Sequence, residues 1–229
     1  EDKRIGNEVS LDTIIKQQNN GKLFQRYDEC QEIYILYKVC QLLANIHSNN
    51  QNHGSIRLSN ILLDERYSPR VTTSTENSTQ NESIEYIVSL SPETIFQQEH
   101  TAESDIYSFG IMILQVLTYQ INIFSEYSND IYVIKELIKN GVKPSVTSEK
   151  IPLILTNKTK RPSAKMIQSA LAKILTEKRY ERQIQEIKNQ KHKKISKKRT
   201  TTDLKSTNDC LLLPSAHFKS YLAKIFSEN

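Results

Sequence analysis

The residue types best suited to chemistry lie in one short polar stretch that runs into apolar residues. His53, Ser55, Arg57 and Asn60 fall within eight positions, and the apolar segment 61–63 follows directly. Taken alone, His53 and Ser55 are ordinary loop residues, and Asn60 is either a metal ligand or a loop-stabilising hydrogen-bond donor. The stretch contains no Asp or Glu, so its meaning depends on the elements that position it.

Apolar periodicity predicts four helices and one short strand around this stretch. Residues 32–47 repeat apolar side chains at i, i+3, i+4 and i+7, and residues 61–63 indicate a buried strand. A helix with Ser104 as its N-cap is apolar on all sides through Leu117, which predicts a central position. Residues 129–140 predict a shorter helix ended by glycine and proline, and a last helix begins at Ser163. The predicted buried faces are Ile35, Leu36, Val39, Leu42, Leu43 and Ile46 in the first helix, and Met166, Ile167, Ala170, Leu171, Ile174 and Leu175 in the last.

One internal segment, residues 72–85, is almost free of apolar side chains. Such a segment buries too little surface to offset its ordering entropy, which predicts a mobile loop. Order is expected to resume between Ile84 and Pro92.

Four motifs fall in one order with suitable spacing, and a fifth precedes them. Segment 53–63 reads His-Gly-Ser-Ile-Arg-Leu-Ser-Asn-Ile-Leu-Leu, 91–93 reads Ser-Pro-Glu, and 104–110 reads Ser-Asp-Ile-Tyr-Ser-Phe-Gly. Segment 160–163 reads Lys-Arg-Pro-Ser, and 6–11 has the form Gly-x-x-x-Ser-Leu. Together they resemble the C-terminal lobe of a protein kinase, nearest the tyrosine-kinase-like group, over roughly residues 8–176. The resemblance implies a mainly α fold with short β segments at the catalytic loop, and the N-terminal lobe is expected to be absent from this chain.

The resemblance assigns structural roles to a set of retained residues. In the family, the Asp matching Asp105 anchors the catalytic loop through backbone hydrogen bonds beside the residue matching His53. The Glu matching Glu93 forms a buried ion pair with the Arg matching Arg161, and losing one partner of such a pair is costly. Pro92 and Gly110 complete this structural set.

The residues that carry kinase chemistry in the family differ here. Phosphoryl transfer uses a carboxylate to orient the attacking hydroxyl and Mg²⁺ to neutralise phosphate charge. The position of the catalytic Asp is Ser55, and segment 69–76 has none of the expected Asp-Phe-Gly. Arg57 stands at a phosphate-facing Lys position, and Asn60, a weak metal candidate, matches a metal-ligand Asn. The resemblance therefore implies a degenerate site with no competent catalytic residue, and ATP and Mg²⁺ only where an upstream lobe exists.

Composition constrains the setting and singles out the C-terminal part. The three cysteines, Cys30, Cys40 and Cys210, lack metal-ligand spacing and argue for a reducing compartment, so we expect a cytoplasmic protein. No apolar run is long enough to span a bilayer. The basic segment 178–199 carries much of the net charge of +5. It could contact nucleic acid or an anionic membrane, or be a solvated helix, and it lacks the aromatic residues that stack on bases.

These observations predict three regions and a binding function. Residues 1–176 are expected to form the kinase-like lobe, 177–209 a basic linker or helix, and 210–229 a short amphipathic segment. The predicted function is a pseudokinase that acts as a signalling scaffold or regulatory module for protein partners, such as another kinase. The alternatives are a fragment of a divergent active kinase and a protein that interacts through its basic tail.

Overall fold

The computed structural model describes a helical body with a small sheet at one side. The described residues are 4–5, 8–19, 29–64, 68–72, 83–144, 155 and 157–178. In the described part of the chain two short strands precede the first two helices and two more follow them, and the other described helices come after these strands, so the prediction of a mainly α fold with short strands is confirmed. The strands are β1 Arg4–Ile5, β2 Glu8–Ser10, β3 Ile61–Leu63 and β4 Pro69–Val71; the helices are α1 Leu11–Asn19, α2 Glu29–Ser48, α3 Ile84–Ser89, α4 Pro92–Gln97, α5 Ala102–Thr118, α6 Ile131–Lys139 and α7 164–178.

The sheet is antiparallel throughout, with strand order β1-β2-β3-β4. The central strand β3 pairs with β2 through Val9 and Leu63, and with β4 through Leu62 and Arg70. An exposed ion pair between Arg70 and Glu8 links β4 to β2. The predicted strand at 61–63 is therefore correct, and its two neighbours lie on either side of it.

Helix α2 occupies Glu29–Ser48 and contains the predicted 32–47 segment. Two residues of the predicted buried face, Leu42 and Ile46, are half-buried. Two residues outside the predicted face, Ile33 and Cys40, are 0% exposed. The Sγ of Cys40 donates to the carbonyl oxygen of Ala164 at 3.2 Å, which connects α2 to the start of α7.

Helix α5 is buried on every side, as its composition predicted. Phe109, Ile111, Met112 and Ile113 are each 0% exposed. The predicted N-cap is wrong, because the helix begins at Ala102 and its cap is Thr101. The Thr101 hydroxyl accepts the Ser104 N–H at 3.3 Å, and the Ser104 hydroxyl accepts the Thr101 N–H at 2.8 Å. Ser104 is thus the third residue of the helix, and it forms a capping box with Thr101.

The last two helices agree with prediction in their positions, but one face needs correction. In α6 the Asp130 carboxylate caps the helix, Ile134 and Ile138 are buried, and Gly141 has a φ of +72° just beyond its end. In α7 the predicted buried residue Met166 is 48% exposed, whereas Ala164 is 2% exposed. The other predicted residues keep to the predicted face: Ile167, Leu171, Ile174 and Leu175 are buried, and Ala170 is half-buried.

The two ends of the predicted mobile segment 72–85 belong to hydrogen-bonded structure. Thr72 donates its N–H to the Asn60 carbonyl at 2.9 Å, and Ile84 and Glu85 belong to α3, which Ser83 caps. The remainder, 73–82, lies outside the described residues, as do the predicted regions beyond residue 178. None of the described helices combines the length and the apolar composition that crossing a membrane requires.

Candidate functional site

The loop of residues 53–60, hereafter the 53–60 loop, is anchored at its start by the buried carboxylate of Asp105. Asp105, 1% exposed in the first turn of α5, accepts the His53 N–H at 2.7 Å and the Gly54 N–H at 2.8 Å. His47, at the end of α2, lies 3.0 Å from the same carboxylate through Nε2. A carboxylate shared by donors from two other elements fixes the loop against α5 and α2.

Gly54 sits at the turn of this anchor in a left-handed conformation, with a φ of +70°. A Cβ added there would lie 3.5 Å from the His100 side chain. The space admits a small side chain, but the backbone conformation favours glycine. Glycine at this position therefore keeps the N–H pointing at Asp105 without strain.

The His53 ring is buried in the loop without a hydrogen bond to any of the described residues. Both ring nitrogens are buried and find no partner among the described residues. Burial lowers the pKa of His53, and the negative charge of Asp105 opposes that effect only in part. The ring is thus held toward its neutral form and serves as a packing element of the loop.

Ser55 and Asn60 are brought together by the turn that leads into β3. The Asn60 side-chain amide donates to the Ser55 carbonyl at 2.8 Å and to the Ser55 hydroxyl oxygen at 2.9 Å. Asn60 is 3% exposed. The Asn60 amide nitrogen therefore stabilises the loop by contacting a residue five positions earlier. The side chain that it contacts, at position 55, is a hydroxyl.

Arg57 lies deep in the same loop and is 5% exposed. Its guanidinium carbon lies 5.3 Å from the centre of the Tyr86 ring in α3. The buried Nε finds no acceptor among the described residues. A cation in this setting gains from the aromatic face but lacks the hydrogen bonds that usually accompany burial.

A carboxylate that the sequence did not single out, Glu85, also contacts the loop. It accepts the Ser59 N–H at 2.7 Å from the first turn of α3. Burial raises the pKa of Glu85, with Asp12 adding to the rise, and Ser59 and Arg57 counteract it. Sequence reasoning placed Glu85 in the mobile segment; the apolar residues Ile84, Ile87 and Val88 around it were the signal of a helix.

The second anchor joins α4 to the residues before α7. Glu93 receives two hydrogen bonds from the Arg161 guanidinium, one of them at 3.0 Å, and the side chains are 13% and 1% exposed. Arg161 also donates to the Glu103 carbonyl at 2.9 Å and lies 5.1 Å from the centre of the Tyr107 ring. Burial raises the pKa of Glu93, but the hydrogen bonds and charge of Arg161 outweigh it, so the net pKa is lowered.

The remaining predicted structural residues hold these elements together. Pro92 is the first residue of α4, after the capping residue Ser91. Gly110 is buried in the middle of α5. Two residues before Gly110, the Ser108 hydroxyl donates to the Ser89 carbonyl at 2.7 Å and connects α5 to α3.

The donors gathered at the 53–60 loop do not suit Mg²⁺. The two groups that would face the ion are the Asn60 amide and the Ser55 hydroxyl, both neutral, and the amide nitrogen already bonds to Ser55. Mg²⁺ is usually held by one or two carboxylates together with phosphate oxygens. Within the described residues, no three His, Cys, Asp or Glu side chains are grouped as a metal site.

Comparison with known proteins gives a consistent result. A family model described as the protein kinase domain matches residues 6–202. The chain is 26% identical over 133 residues to cysteine-rich receptor-like protein kinase 10 of Oryza sativa subsp. japonica, covering 53% of this chain and 20% of that protein. It is 32% identical over 120 residues to mitogen-activated protein kinase 2 of the same species, covering 48% and 30%.

A third relative is wall-associated receptor kinase-like 3 of Arabidopsis thaliana. The identity is 29% over 119 residues, covering 43% of this chain and 16% of that protein. The chain spans less than a third of the length of each of these relatives.

Proposed function

The chain belongs to the protein kinase domain family, and from this premise we propose that it is a pseudokinase that binds and positions protein partners. The proposal separates two halves of kinase function. The structural anchors of the lower lobe are retained, whereas the groups that perform phosphoryl transfer are replaced.

The observation that carries the proposal is the Ser55 hydroxyl, which Asn60 contacts at 2.9 Å. At this position the family uses a carboxylate to orient the attacking hydroxyl and take its proton. A serine hydroxyl is far too weak a base for that step at neutral pH, and it adds no negative charge for a metal ion. The local geometry uses it as a hydrogen-bond partner within the loop.

The metal-binding half supports the same conclusion. Strand β4 ends at Val71, and the segment 69–76, where the Asp-Phe-Gly motif would fall, contains no Asp, Phe or Gly. Of the two metal-binding motifs of the family, only the Asn matching Asn60 is present. The Asn60 amide and the Ser55 hydroxyl beside it are both neutral.

A scaffold role follows from what remains. The Asp105 anchor and the Glu93–Arg161 pair hold the loop, α4 and α7 in a defined arrangement, which a binding module requires. The partner is proposed to be a protein, for example another kinase or signalling protein, and the setting a reducing cytoplasmic one. The division into regions 1–176, 177–209 and 210–229 and the tyrosine-kinase-like affiliation remain predictions.

The test is phosphoryl transfer by the purified protein in its natural full length, with labelled ATP and Mg²⁺ or Mn²⁺ and a generic protein substrate. We expect no transfer above that of a matched Asn60→Ala variant. Transfer by the unaltered protein that disappears in the Asn60→Ala variant would overturn the proposal. Equal transfer by both proteins would identify a contaminating kinase.

One observation favours a second candidate, a divergent active kinase. Glu85 supplies a half-buried carboxylate to the loop through its hydrogen bond with the Ser59 N–H, and its raised pKa brings it nearer to the range of a general base. If Glu85 replaces the lost carboxylate, Glu85→Gln abolishes transfer while preserving the fold. The tail alternative concerns residues outside the described part of the chain and stays a prediction, tested by salt-sensitive binding that disappears on tail deletion.

A further inference from the structure

An open groove lies away from the 53–60 loop, on the side of the molecule where α4 meets the end of α6. Its volume is about 880 Å³. Its walls come from α4, from the end of α6 and the residues that follow it, and from the segment before α7. This groove is hereafter called the lysine groove. The lining residues on which recognition depends are Phe96, Lys139, Lys143, Leu155, Lys158 and Lys160.

The charge of the lysine groove is positive. Lys143 and Lys160 are exposed. Lys139 and Lys158 also line it, and each pairs with a carboxylate that is not among the lining residues: Glu136 at 2.9 Å and Glu99 at 3.4 Å. Both of these pairs are solvent-accessible, so an incoming anion can compete for the ammonium groups at low cost.

The remaining ionic pair of the groove contributes no free charge. Glu93 and Arg161 also line it, but they neutralise each other in a largely buried pair. The acidic member is therefore unavailable to repel an anionic ligand. The lysines dominate the field that a ligand meets.

An exposed aromatic residue gives the groove a second means of recognition. Phe96 is 63% exposed although its helix neighbour Thr94 is 7% exposed, so α4 directs this ring outward. The Lys139 ammonium lies 5.7 Å from the ring centre and covers part of it. The uncovered ring and the nearby Leu155 offer an apolar contact between positive charges.

We propose that the lysine groove is a docking site for an acidic peptide segment of a partner protein, one that carries Asp or Glu around an aromatic or aliphatic residue. Ammonium groups pair with single carboxylates, and the apolar residue packs on Phe96. This inference deepens the proposed binding function by naming its surface, and it rests on that function in assuming a protein partner.

Two other occupants fit the groove less well. The only guanidinium among the lining residues, Arg161, is committed to Glu93, so the groove lacks the fork that suits phosphate groups. The chain's own segment 178–199 is basic and would be repelled.

The experiment measures fluorescence anisotropy of a labelled peptide rich in Glu and Asp with one central Phe, titrated with the full chain at low and moderate salt. We expect saturable binding that weakens with salt. Reversing the two exposed lysines in Lys143→Glu/Lys160→Glu should weaken binding about tenfold or more. The matched control is Lys165→Glu/Lys173→Glu, the same charge change at exposed positions of α7, and it should bind like the unaltered chain.

The aromatic contact is tested by a double-mutant cycle. Phe96→Ala in the protein and Phe→Ala in the peptide should each weaken binding severalfold, and the two losses should not add. Additive losses, absence of saturable binding, or equal weakening by the α7 control would overturn the proposal, as would tighter binding of a single-stranded oligonucleotide through the same lysines. Because phosphoryl transfer is assayed separately, failure of docking and failure of the pseudokinase proposal are distinguishable.

Discussion

Two buried arginines face tyrosine rings in similar geometry but in very different company. Arg161 lies 5.1 Å from the Tyr107 ring and donates hydrogen bonds to Glu93 and to a backbone carbonyl. Arg57 lies 5.3 Å from the Tyr86 ring, and its buried Nε has no acceptor among the described residues.

The contrast separates a buried cation that is paired with a carboxylate from one whose Nε has no acceptor among the described residues. Around Arg161 the charge is neutralised and the donors are used, as expected of an element that must stay in one arrangement. Around Arg57 the Nε lacks an acceptor among the described residues, although the Tyr86 ring faces the guanidinium and its positive charge counteracts the rise in the pKa of Glu85. Arg161 is therefore the more completely compensated of the two cations.

The largest effect is expected from Arg161→Met. The substitution leaves Glu93 buried without its partner and should lower the free energy of unfolding by about 3–5 kcal/mol. Urea unfolding followed by circular dichroism measures it. The double variant Glu93→Leu/Arg161→Met removes both charges and should recover much of the loss; a double variant less stable than Arg161→Met would show that the pair matters for more than charge compensation.

A somewhat smaller effect is expected from Asp105→Ala. The His53 and Gly54 N–H groups lose their acceptor in a buried site, at a cost of about 2–4 kcal/mol in unfolding free energy. Hydrogen exchange should show faster exchange at these two amides. Asp130→Ala, which removes only the exposed cap of α6, is the control and should cost about 1 kcal/mol.

The pH dependence of stability should differ between the two carboxylates beside these arginines. The pKa of Glu93 is lowered, so its contribution is present above the ordinary carboxyl pKa and is lost as the pH falls through the lowered value. The pKa of Glu85 is raised, so stability falls as the pH rises from the ordinary value through the raised one.

Thermal unfolding across acidic pH checks both slopes. Glu85→Gln should remove the decline on the rising side, and Glu93→Gln should flatten the loss on the acid side. Identical pH profiles for the two variants would contradict the assignment of opposite shifts.

The smallest effect is expected from Arg57→Met, the same substitution as at Arg161. Removal of an incompletely paired cation should change the unfolding free energy by less than about 1 kcal/mol, in either direction. Urea unfolding under the same conditions makes the two arginines directly comparable. A loss as large as that of Arg161→Met would mean that Arg57 is a structural residue and would remove the contrast.

Long apolar patterns carried most of the fold prediction. Helices α2, α5 and α6 lie where their periodicity placed them, because each buries a continuous face that local spacing encodes. Strands β1, β2 and β4 were missed because two or three residues are too few for alternation to be seen. Pairing of β2 with β3 joins residues more than fifty positions apart, and nothing local announces it.

Errors of detail came from competition between neighbouring signals. Ser104 and Thr101 both suit a helix cap, and the capping box uses both, with Thr101 in the outer position. At the candidate site, the family motifs indicated Asp105, Glu93 and Arg161. The contact of Glu85 with Ser59 depends on how α3 packs under the loop, which the polar composition before residue 83 concealed.

The Cys40 thiol of α2, buried against the start of α7, can report on opening of the core. Burial raises the pKa of Cys40 to about 12, so at neutral pH almost no thiolate is present while the two helices stay together. A thiol reagent can therefore label Cys40 only during moments when α2 and α7 separate. The labelling rate therefore measures how often the lobe opens. A binding partner that lowers this rate could be detected without an assay of the partner's own function.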